Sequence, residues 1–359
     1  MGKFAFIIHP IELEDVYRKF KFMRRWPKKL VENLVKMIPP MKISEITGIK
    51  SRHGETSGWF VSCPLNSNQM VTLPEDYVLE KIIKSGKKAE ELGADVIGLG
   101  AMTSVVGDAG ITVAQNLKAA VTTGNSYTVA TALQGAREAA RLMGVDMDQA
   151  EILIVGATGS IGSAAARILA RDARYMTLLA RSQRKLEDLA DRIMMENGLA
   201  VRVTSNVKRA VPAADIIITV TGSAEAVFDI SDLKPGAVVC DVARPRDVSK
   251  KVAEQRDDIL VIEGGVVQVP GDDVEFNFNF GFPPKTSYAC MAETMILAME
   301  NRFESFSLGR DIRVPQIDEI NRMAEKHGFK LAGFRSFEKA VTPEEIQAIK
   351  ERARGKRKN

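Results

Sequence analysis

The stretch Glu151-Ile152-Leu153-Ile154-Val155-Gly156-Ala157-Thr158-Gly159-Ser160-Ile161-Gly162-Ser163 decides the fold. Ile152 to Val155 is a short apolar run rich in β-branched residues, which is typical of a strand buried on both faces. Three glycines spaced three residues apart follow it, and residues 163–170 continue with a helical pattern. A strand, a glycine turn and a helix in this order predict a site for the pyrophosphate of a dinucleotide.

Each glycine of this G-x-x-G-x-x-G variant has a physical task. The first permits the tight turn, the second lets the backbone approach the phosphates, and the third lets helix pack on strand. The N–H groups at the start of the helix then point at the anion. The residues predicted to contact the cofactor here are Gly156, Thr158, Gly159, Ser160, Ile161 and Gly162.

The end of the next strand predicts which dinucleotide binds. An NAD site usually places an acidic side chain there, to bond the ribose 2′-hydroxyl. This chain instead carries Ala180, Arg181 and Ser182 after the apolar run 175–180. Because a guanidinium grips a 2′-phosphate that a carboxylate would repel, Arg181 and Ser182 predict NADPH. Lys185 is interpreted as the start of a solvated helix.

Strands and helices alternate beyond this point, which predicts an α/β fold with a doubly wound, Rossmann-type parallel sheet. The strand that begins at Asp215 ends near Thr221 and Gly222, two further expected cofactor contacts. An N-terminal α/β substrate domain and C-terminal helices complete the prediction. The predicted parts are a substrate domain with a connector helix (1–147), a nucleotide-binding domain (148–284), a helical segment (285–345) and a basic tail (346–359).

The amino-acid composition indicates the general class of the protein. The 359 residues are 45% hydrophobic, which suits a globular chain with room for two domains. No apolar run reaches the roughly 20 residues of a membrane span, and three dispersed cysteines predict a reducing compartment, the cytoplasm. Residues 1–40 hold nine Lys/Arg against four Asp/Glu, and residues 350–359 hold six against one. These basic ends suggest an acidic partner or solubilising termini, and the last six residues read as disordered.

One cysteine is placed for nucleophilic chemistry. Cys290 follows Pro283-Pro284 and Thr286-Ser287, which predict a helix capped by Thr286 or Ser287 with Cys290 in or near its first turn. The partial positive charge of a helix N-terminus favours a thiolate there. Cys63, at a predicted strand end, is the rival nucleophile, whereas Cys240 reads as core. No histidine has metal-ligand spacing, so no metal site is expected.

Several further motifs, in order along the chain, carry a resemblance to the long-chain fatty acyl-(acyl-carrier-protein) reductases. They cover most of residues 1–334 and are Gly98-Leu99-Gly100-Ala101-Met102-Thr103-Ser104, Thr123-Gly124-Asn125-Ser126-Tyr127-Thr128, the glycine turn, Gly264-Gly265-Val266-Val267, Ala289-Cys290-Met291-Ala292-Glu293 and Phe306-Ser307-Leu308-Gly309-Arg310. Family members often have His where this chain has Tyr127.

The resemblance implies reduction of a fatty acyl thioester to an aldehyde with NADPH, through an acyl group carried on Cys290. Thioester exchange onto a cysteine is nucleophilic catalysis, and the oxyanion formed on hydride attack needs hydrogen-bond donors. Thr103, Ser104, Asn125 and Tyr127 are the candidate substrate residues. The implied partner is acyl carrier protein, expected to dock on the basic segment 18–29, with an aldehyde-consuming enzyme downstream. No nucleic-acid partner is expected.

Three other functions remain open. The segment 241–247 also resembles glutamyl-tRNA reductases, which use a cysteine thioester and NADPH, although this chain is short for their RNA-binding extension. A shikimate-type dehydrogenase shares the two-domain layout and needs no nucleophilic sulfur. A non-catalytic NADPH-binding sensor is the third alternative.

Overall fold

Two sheets organise the chain, which a computed structural model describes for residues 1–359 apart from 11–12, 20, 222–231, 244–245, 249–254, 280, 338 and 358–359. Unit 1 comprises Met1–Tyr127, Gln268–Arg310 and Glu319–Lys330. Unit 2 comprises Thr128–Val267, Asp311–Asp318 and Leu331–Asn359. Among the described residues, no helix has both the length and the apolar character that crossing a bilayer requires.

Unit 1 is built on a five-stranded sheet of order β2-β3-β1-β4-β5. Its strands are β1 (Lys3–Ile8), β2 (Lys42–Ser51), β3 (Gly54–Ser62), β4 (Val96–Leu99) and β5 (Ala120–Thr122). The pairings β1–β3, β1–β4 and β4–β5 are parallel, and β2 is antiparallel to β3. The central strand β1 buries Phe4 to Ile7 on both faces, as its continuous apolar run requires.

The first part of unit 1 also contains five described helices. They are α1 (Leu13–Lys19), α2 (Lys28–Val35), α3 (Ser67–Thr72), α4 (Glu75–Glu91) and α5 (Ile111–Gln115), with 3-10 turns at Lys21–Arg25 and Ala101–Ser104. Helix α4 buries Val78 and Ile82 in the core beside β1 and β3. Trp26 and Pro27 separate the first 3-10 turn from α2, which begins at Lys28 with Pro27 as its N-cap.

Unit 2 confirms the predicted Rossmann-type sheet. Six strands lie in the order β11-β10-β9-β6-β7-β8, and all five pairings are parallel. They are β6 (Glu151–Val155), β7 (Tyr175–Leu179), β8 (Arg202–Thr204), β9 (Ile216–Thr219), β10 (Val238–Asp241) and β11 (Leu260–Glu263). The strand order reverses at β6, so the loops after β6 and β9 flank the switch point where such sheets bind ligands.

Four described helices accompany the first three strands of this sheet. Helix α6 (Asn125–Met143) precedes β6, and the division between the units falls within its first turn. The others are α7 (Ser160–Leu169), α8 (Gln183–Asn197) and α9 (Val207–Ala210), the last followed by a 3-10 turn at Val211–Ala213. Inward-facing Leu153, Ile217 and Val239 form part of the core of unit 2.

The chain after β11 contributes to both units. Its elements are β12 (Val266–Gln268), β13 (Thr286–Tyr288), α10 (Ala289–Met299), α11 (Val314–His327), β14 (Lys330–Leu331), β15 (Phe334–Ser336), β16 (Lys339–Val341) and α12 (Pro343–Arg357). Helix α10 packs against β1, β3 and β4, so the Cys290 helix belongs to unit 1. The sequence-based segment 285–345 is therefore divided between the units.

The prediction of a disordered C-terminus is wrong for residues 354–357, which continue helix α12. Ile346 and Ala353 are buried, so the helix has an apolar contact that composition alone does not reveal. Arg352 donates to the Asp257 carbonyl at 2.8 Å, and Lys356 pairs with Asp257 at 3.0 Å. The basic charges thus neutralise acidic residues of the same unit.

Replacing Ala353 with Asp is expected to detach this helix, because an unpaired carboxylate would enter a site that is 3% exposed. Amide hydrogen exchange over residues 343–357 should accelerate. Gly355→Asp is the matched control, since a side chain there meets nothing within 4 Å, and should leave the exchange unchanged. Equal acceleration in both variants would contradict the docked helix.

Candidate active site

The glycine turn after β6 has the geometry of an anion cradle. Gly156 adopts φ +82°, and a Cβ there would lie 3.1 Å from the Val220 carbonyl, so the turn requires glycine. Its N–H donates to the Leu179 carbonyl at 2.9 Å, which holds the turn against β7. Gly159 caps helix α7 and is exposed. The first N–H groups of α7 therefore face a turn whose backbone a phosphate can approach.

An exposed guanidinium follows the end of β7, at the carboxyl edge of the sheet. Arg181 is exposed and makes no hydrogen bond or ion pair with any residue the structure describes. Ser182 is the N-cap of α8, and its side chain makes no capping hydrogen bond. Both side chains are therefore available to an anionic ligand at the carboxyl end of the sheet.

A buried carboxylate organises the loop after β9. Asp247 is fully buried and accepts from the hydroxyls of Thr219 and Thr221 and, at 2.8 Å, from the Thr221 N–H. Thr221, a predicted cofactor contact, therefore has its hydroxyl hydrogen committed to Asp247. Gly222, the other contact predicted on this loop, lies outside the described residues.

In unit 1, Cys290 lies in the first turn of α10, as predicted. The other ten residues of this eleven-residue helix are buried, whereas Cys290 is half-buried. The expected cap by Thr286 or Ser287 is wrong, because both belong to β13 and Tyr288 is the N-cap. Cys290 is thus the one accessible position of a helix that is otherwise core.

The backbone of Gly124 packs directly against the cysteine turn. A Cβ on Gly124 would lie 2.3 Å from both Cα and Cβ of Cys290, and its φ is +74°. Any other residue would push the start of α6 away from Cys290 or strain the backbone. The structure therefore brings the predicted cluster 123–128 and Cys290 together.

Glu293, one turn after Cys290, collects donors from three neighbouring segments. Its Oε1 accepts from Thr122 Oγ1 at 2.5 Å and from Ser307 Oγ at 2.7 Å. Its Oε2 accepts from the Tyr127 N–H at 2.7 Å. Burial raises the pKa of this carboxyl group, and the hydrogen bonds partly oppose the rise. The negative charge of Glu293, which would disfavour a thiolate at Cys290, is therefore stabilised by the hydrogen bonds from Thr122, Tyr127 and Ser307.

The candidate substrate residues occupy different environments. Thr103 and Ser104 donate their hydroxyl hydrogens to the carbonyls of Gly100, at 2.8 Å, and Ala101, at 2.7 Å, so a donor role toward substrate requires their rotation. Asn125 is half-buried beside Gly124 at the start of α6. Tyr127 is buried, and burial together with the charge of Glu325 raises its phenol pKa, which keeps the group protonated.

Cys63, the rival nucleophile, is inaccessible in the structure. Cys63 is fully buried, and burial raises the pKa of its thiol to about 11. Cys240 is buried in β10, as predicted. The three cysteines, all within the described residues, form no disulfide.

Two of the three histidines have side chains held by structural hydrogen bonds. His9 Nε2 accepts from the Met102 N–H at 3.2 Å and so steadies the loop that carries Thr103. His327 lies between Ser51 and Glu300, at 2.8 and 2.7 Å, and burial lowers its pKa. The part of the chain that the structure describes contains no group of three or more His, Cys, Asp or Glu able to hold a metal.

Sequence reasoning overlooked Ser307 and the bracing role of Glu293. The Ser307 hydroxyl joins Glu293 to the start of α6, where it lies 2.6 Å from Ser126 Oγ and accepts from the Ser126 N–H at 3.3 Å. The signal was present, since both residues lie within the quoted motifs, but a spacing of fourteen residues does not indicate contact.

Comparisons with known proteins include a dehydrogenase family and two proteins named as reductases. Residues 137–262 match the family described as Shikimate / quinate 5-dehydrogenase. The chain is 28% identical to the long-chain acyl-[acyl-carrier-protein] reductase of Synechococcus elongatus, over 81% of this chain and 87% of that protein. It is 29% identical to glutamyl-tRNA reductase of Methanococcus aeolicus, over 61% of this chain and 54% of that protein.

A longer relative carries a different name. The chain is 31% identical to Aminotransferase PigE of Serratia sp. (strain ATCC 39006) over 97% of its own residues, but spans only 42% of that protein. Taken together with the matched dehydrogenase family and the two reductases, the similarities support an oxidoreductase with a nicotinamide cofactor.

We expect iodoacetamide at pH 8 to alkylate Cys290 in the native protein and to spare Cys63 and Cys240. Cys290 is only half-buried, whereas Cys63 is fully buried and, with a thiol pKa of about 11, is roughly one part in a thousand thiolate at that pH. Peptide mass mapping before and after unfolding measures this. Native labelling of Cys63 at the rate of Cys290 would contradict the assignment.

Glu293→Gln tests the buried carboxyl group. Because the pKa of Glu293 is raised in the folded state, the native protein binds its proton more tightly than the unfolded chain does. The contribution of Glu293 to stability therefore falls as pH rises above about 4.5, the ordinary pKa of a glutamate. Urea unfolding at pH 5 and pH 8 should show the variant gaining stability relative to wild type at the higher pH. A difference independent of pH would refute the raised pKa.

Proposed function

We propose that this chain reduces long-chain acyl thioesters to aldehydes with NADPH, through an acyl group held on Cys290. The observation that carries the proposal is the position of Cys290 as the accessible residue in the first turn of an otherwise buried helix. Thiolates attack thioesters readily, and a helix N-terminus favours the thiolate form. The similarity to an acyl-[acyl-carrier-protein] reductase supports this substrate class.

The proposed reaction of Cys290 has two halves, and each half forms one bond to the acyl carbon and breaks one. Its thiolate attacks the thioester carbonyl, and collapse of the tetrahedral intermediate breaks the bond to the donor sulfur, which leaves as a thiolate and takes up a proton. In the second half, the acyl group accepts hydride and the Cys290 thiolate leaves as the aldehyde forms. Cys290 begins and ends each cycle as a thiolate, so the reaction consumes one proton from solvent, which protonates the departing donor thiolate.

The residues of unit 2 fit a dinucleotide. The Gly156 turn and the first N–H groups of α7 would hold the pyrophosphate, while Arg181 and Ser182 would hold a 2′-phosphate. When bound, NADPH supplies the hydride. Arg181 is exposed, and the preceding Ala180 offers no carboxylate to compete for it. This combination favours NADPH over NADH.

The acyl donor is proposed to be acyl carrier protein, and the product an aldehyde that a second enzyme consumes. Aldehydes are carbonyl compounds of the kind that aminotransferases convert to amines. The similarity to a much longer protein named as an aminotransferase agrees with such a consumer. Glutamyl-tRNA reduction, supported by a relative that matches 61% of this chain, is the competing substrate assignment.

The decisive experiment incubates the protein with radiolabelled palmitoyl-acyl carrier protein without reductant. We expect the label on the Cys290 peptide and its loss in Cys290→Ala, with NADPH binding retained. Cys63→Ala is the matched control and should label normally, because Cys63 is buried. Label that persists in Cys290→Ala, or a protein that accepts only glutamyl-tRNA, would overturn the proposal.

For the cofactor, Arg181→Ala should raise the KM for NADPH at least tenfold, since a charge-assisted contact contributes about 1.5–3 kcal/mol, and leave the KM for NADH nearly unchanged. Lys185→Ala, an exposed cation on the same helix start, serves as control and should alter neither value. Steady-state kinetics with both cofactors measures this. Equal losses with NADPH and NADH would show that Arg181 is structural.

A further inference from the structure

The segment Lys21-Phe22-Met23-Arg24-Arg25-Trp26-Pro27-Lys28-Lys29-Leu30, here called the basic aromatic edge, has an unusual surface. It contains five cations and no acidic residue. Phe22, Trp26 and Leu30 are 60%, 40% and 47% exposed. The rings of Phe22 and Trp26 contact each other edge to face, with centroids 5.7 Å apart.

These exposed apolar side chains are not needed by the core beneath them. Met23 and residues on either side of the segment form a separate small core, made of Val16, Tyr17, Met23, Val31 and Val35 with Leu13 and Ile38 packed against it. Met23 lies in that core, whereas its neighbour Phe22 is exposed. The small core is therefore filled without Phe22 and Trp26, whose rings lie on the charged outer surface.

The hydrogen bonds that attach α2 to other residues of unit 1 lie after the basic aromatic edge in the chain. The far end of α2 is anchored to unit 1, because Gln69 Nε2 donates to the Glu32 carbonyl at 3.1 Å and Lys81 Nζ donates to the Lys36 carbonyl at 2.9 Å. Arg24 pairs with Glu14 of α1, while Lys21, Arg25, Lys28 and Lys29 are exposed.

We propose that the basic aromatic edge binds the surface of anionic phospholipid bilayers. Cations attract anionic headgroups, while Trp, Phe and Leu insert at the boundary between headgroups and acyl chains. The edge supplies both components within ten residues. An acidic carrier protein would match the cations alone and would leave Phe22, Trp26 and Leu30 without a role, so the bilayer is favoured. The binding is independent of the proposed reaction.

The test uses full-length protein carrying Trp59→Phe, which leaves Trp26 as the single tryptophan. Trp59 is 8% exposed in β3, so the original protein would otherwise report a buried site as well. With phosphatidylcholine vesicles containing phosphatidylglycerol, Trp26 emission should shift to shorter wavelength and brominated lipid should quench it. Phosphatidylcholine alone should give little binding, and salt should weaken the anionic case.

Variants separate the two components by vesicle co-sedimentation. Lys28→Gln with Lys29→Gln should lower partitioning about thirtyfold, because each cation near an anionic surface contributes roughly fivefold. Phe22→Ser with Trp26→Ser should lower it at least tenfold. The matched control, Met194→Ser with Met195→Ser, removes two exposed apolar side chains from α8 and should bind as wild type.

Three outcomes would overturn the proposal. The first is no Trp26 shift with anionic vesicles, and the second is an equal loss in the α8 control. The third is binding of acyl carrier protein that depends on Lys28 and Lys29, while vesicles do not bind. That last result would assign the edge to the carrier. None of these readouts depends on catalysis, so they stand apart from the Cys290 experiments.

Discussion

The buried carboxyl group of Glu293 holds together the part of unit 1 that presents Cys290. Burying a carboxylate is costly unless donors replace the lost water, and Thr122, Tyr127 and Ser307 supply them from three separate segments. These donors join α10, the end of β5, the start of α6 and the Ser307 loop around one side chain. Movement of any of these segments would leave the carboxylate unsatisfied, so the cysteine turn is braced.

Unit 2 uses the same principle at the carboxyl end of its sheet. Asp247 collects the hydroxyls of Thr219 and Thr221 and one N–H group, and so shapes the loop that follows β9. Next to it, Gly156 makes a turn that no residue with a side chain adopts easily. A buried acid and a glycine together fix loops that apolar packing alone would not hold.

The errors of sequence reasoning share a cause. Thr286 and Ser287 have the composition of helix caps, but strand β13 occupies them, because tertiary pairing overrides a local preference. Composition alone predicts a disordered basic C-terminus, whereas in the structure Lys356 pairs with Asp257 and Asp258. Cys63 looked like a rival to Cys290 because exposure is not written in a sequence.

Local pattern determined much of this protein. The run from Ile152 to Gly162 predicted strand, turn and helix, because short-range sterics and periodicity dictate all three. The alternation of elements predicted the parallel sheet of unit 2, and the prolines before Cys290 predicted a helix that begins near this residue. What tertiary structure alone decided is which side chains meet. Gly124 contacts Cys290 although the two residues lie 166 positions apart in the chain. This contact depends on how the helices pack against the sheet, which residues close in sequence do not determine.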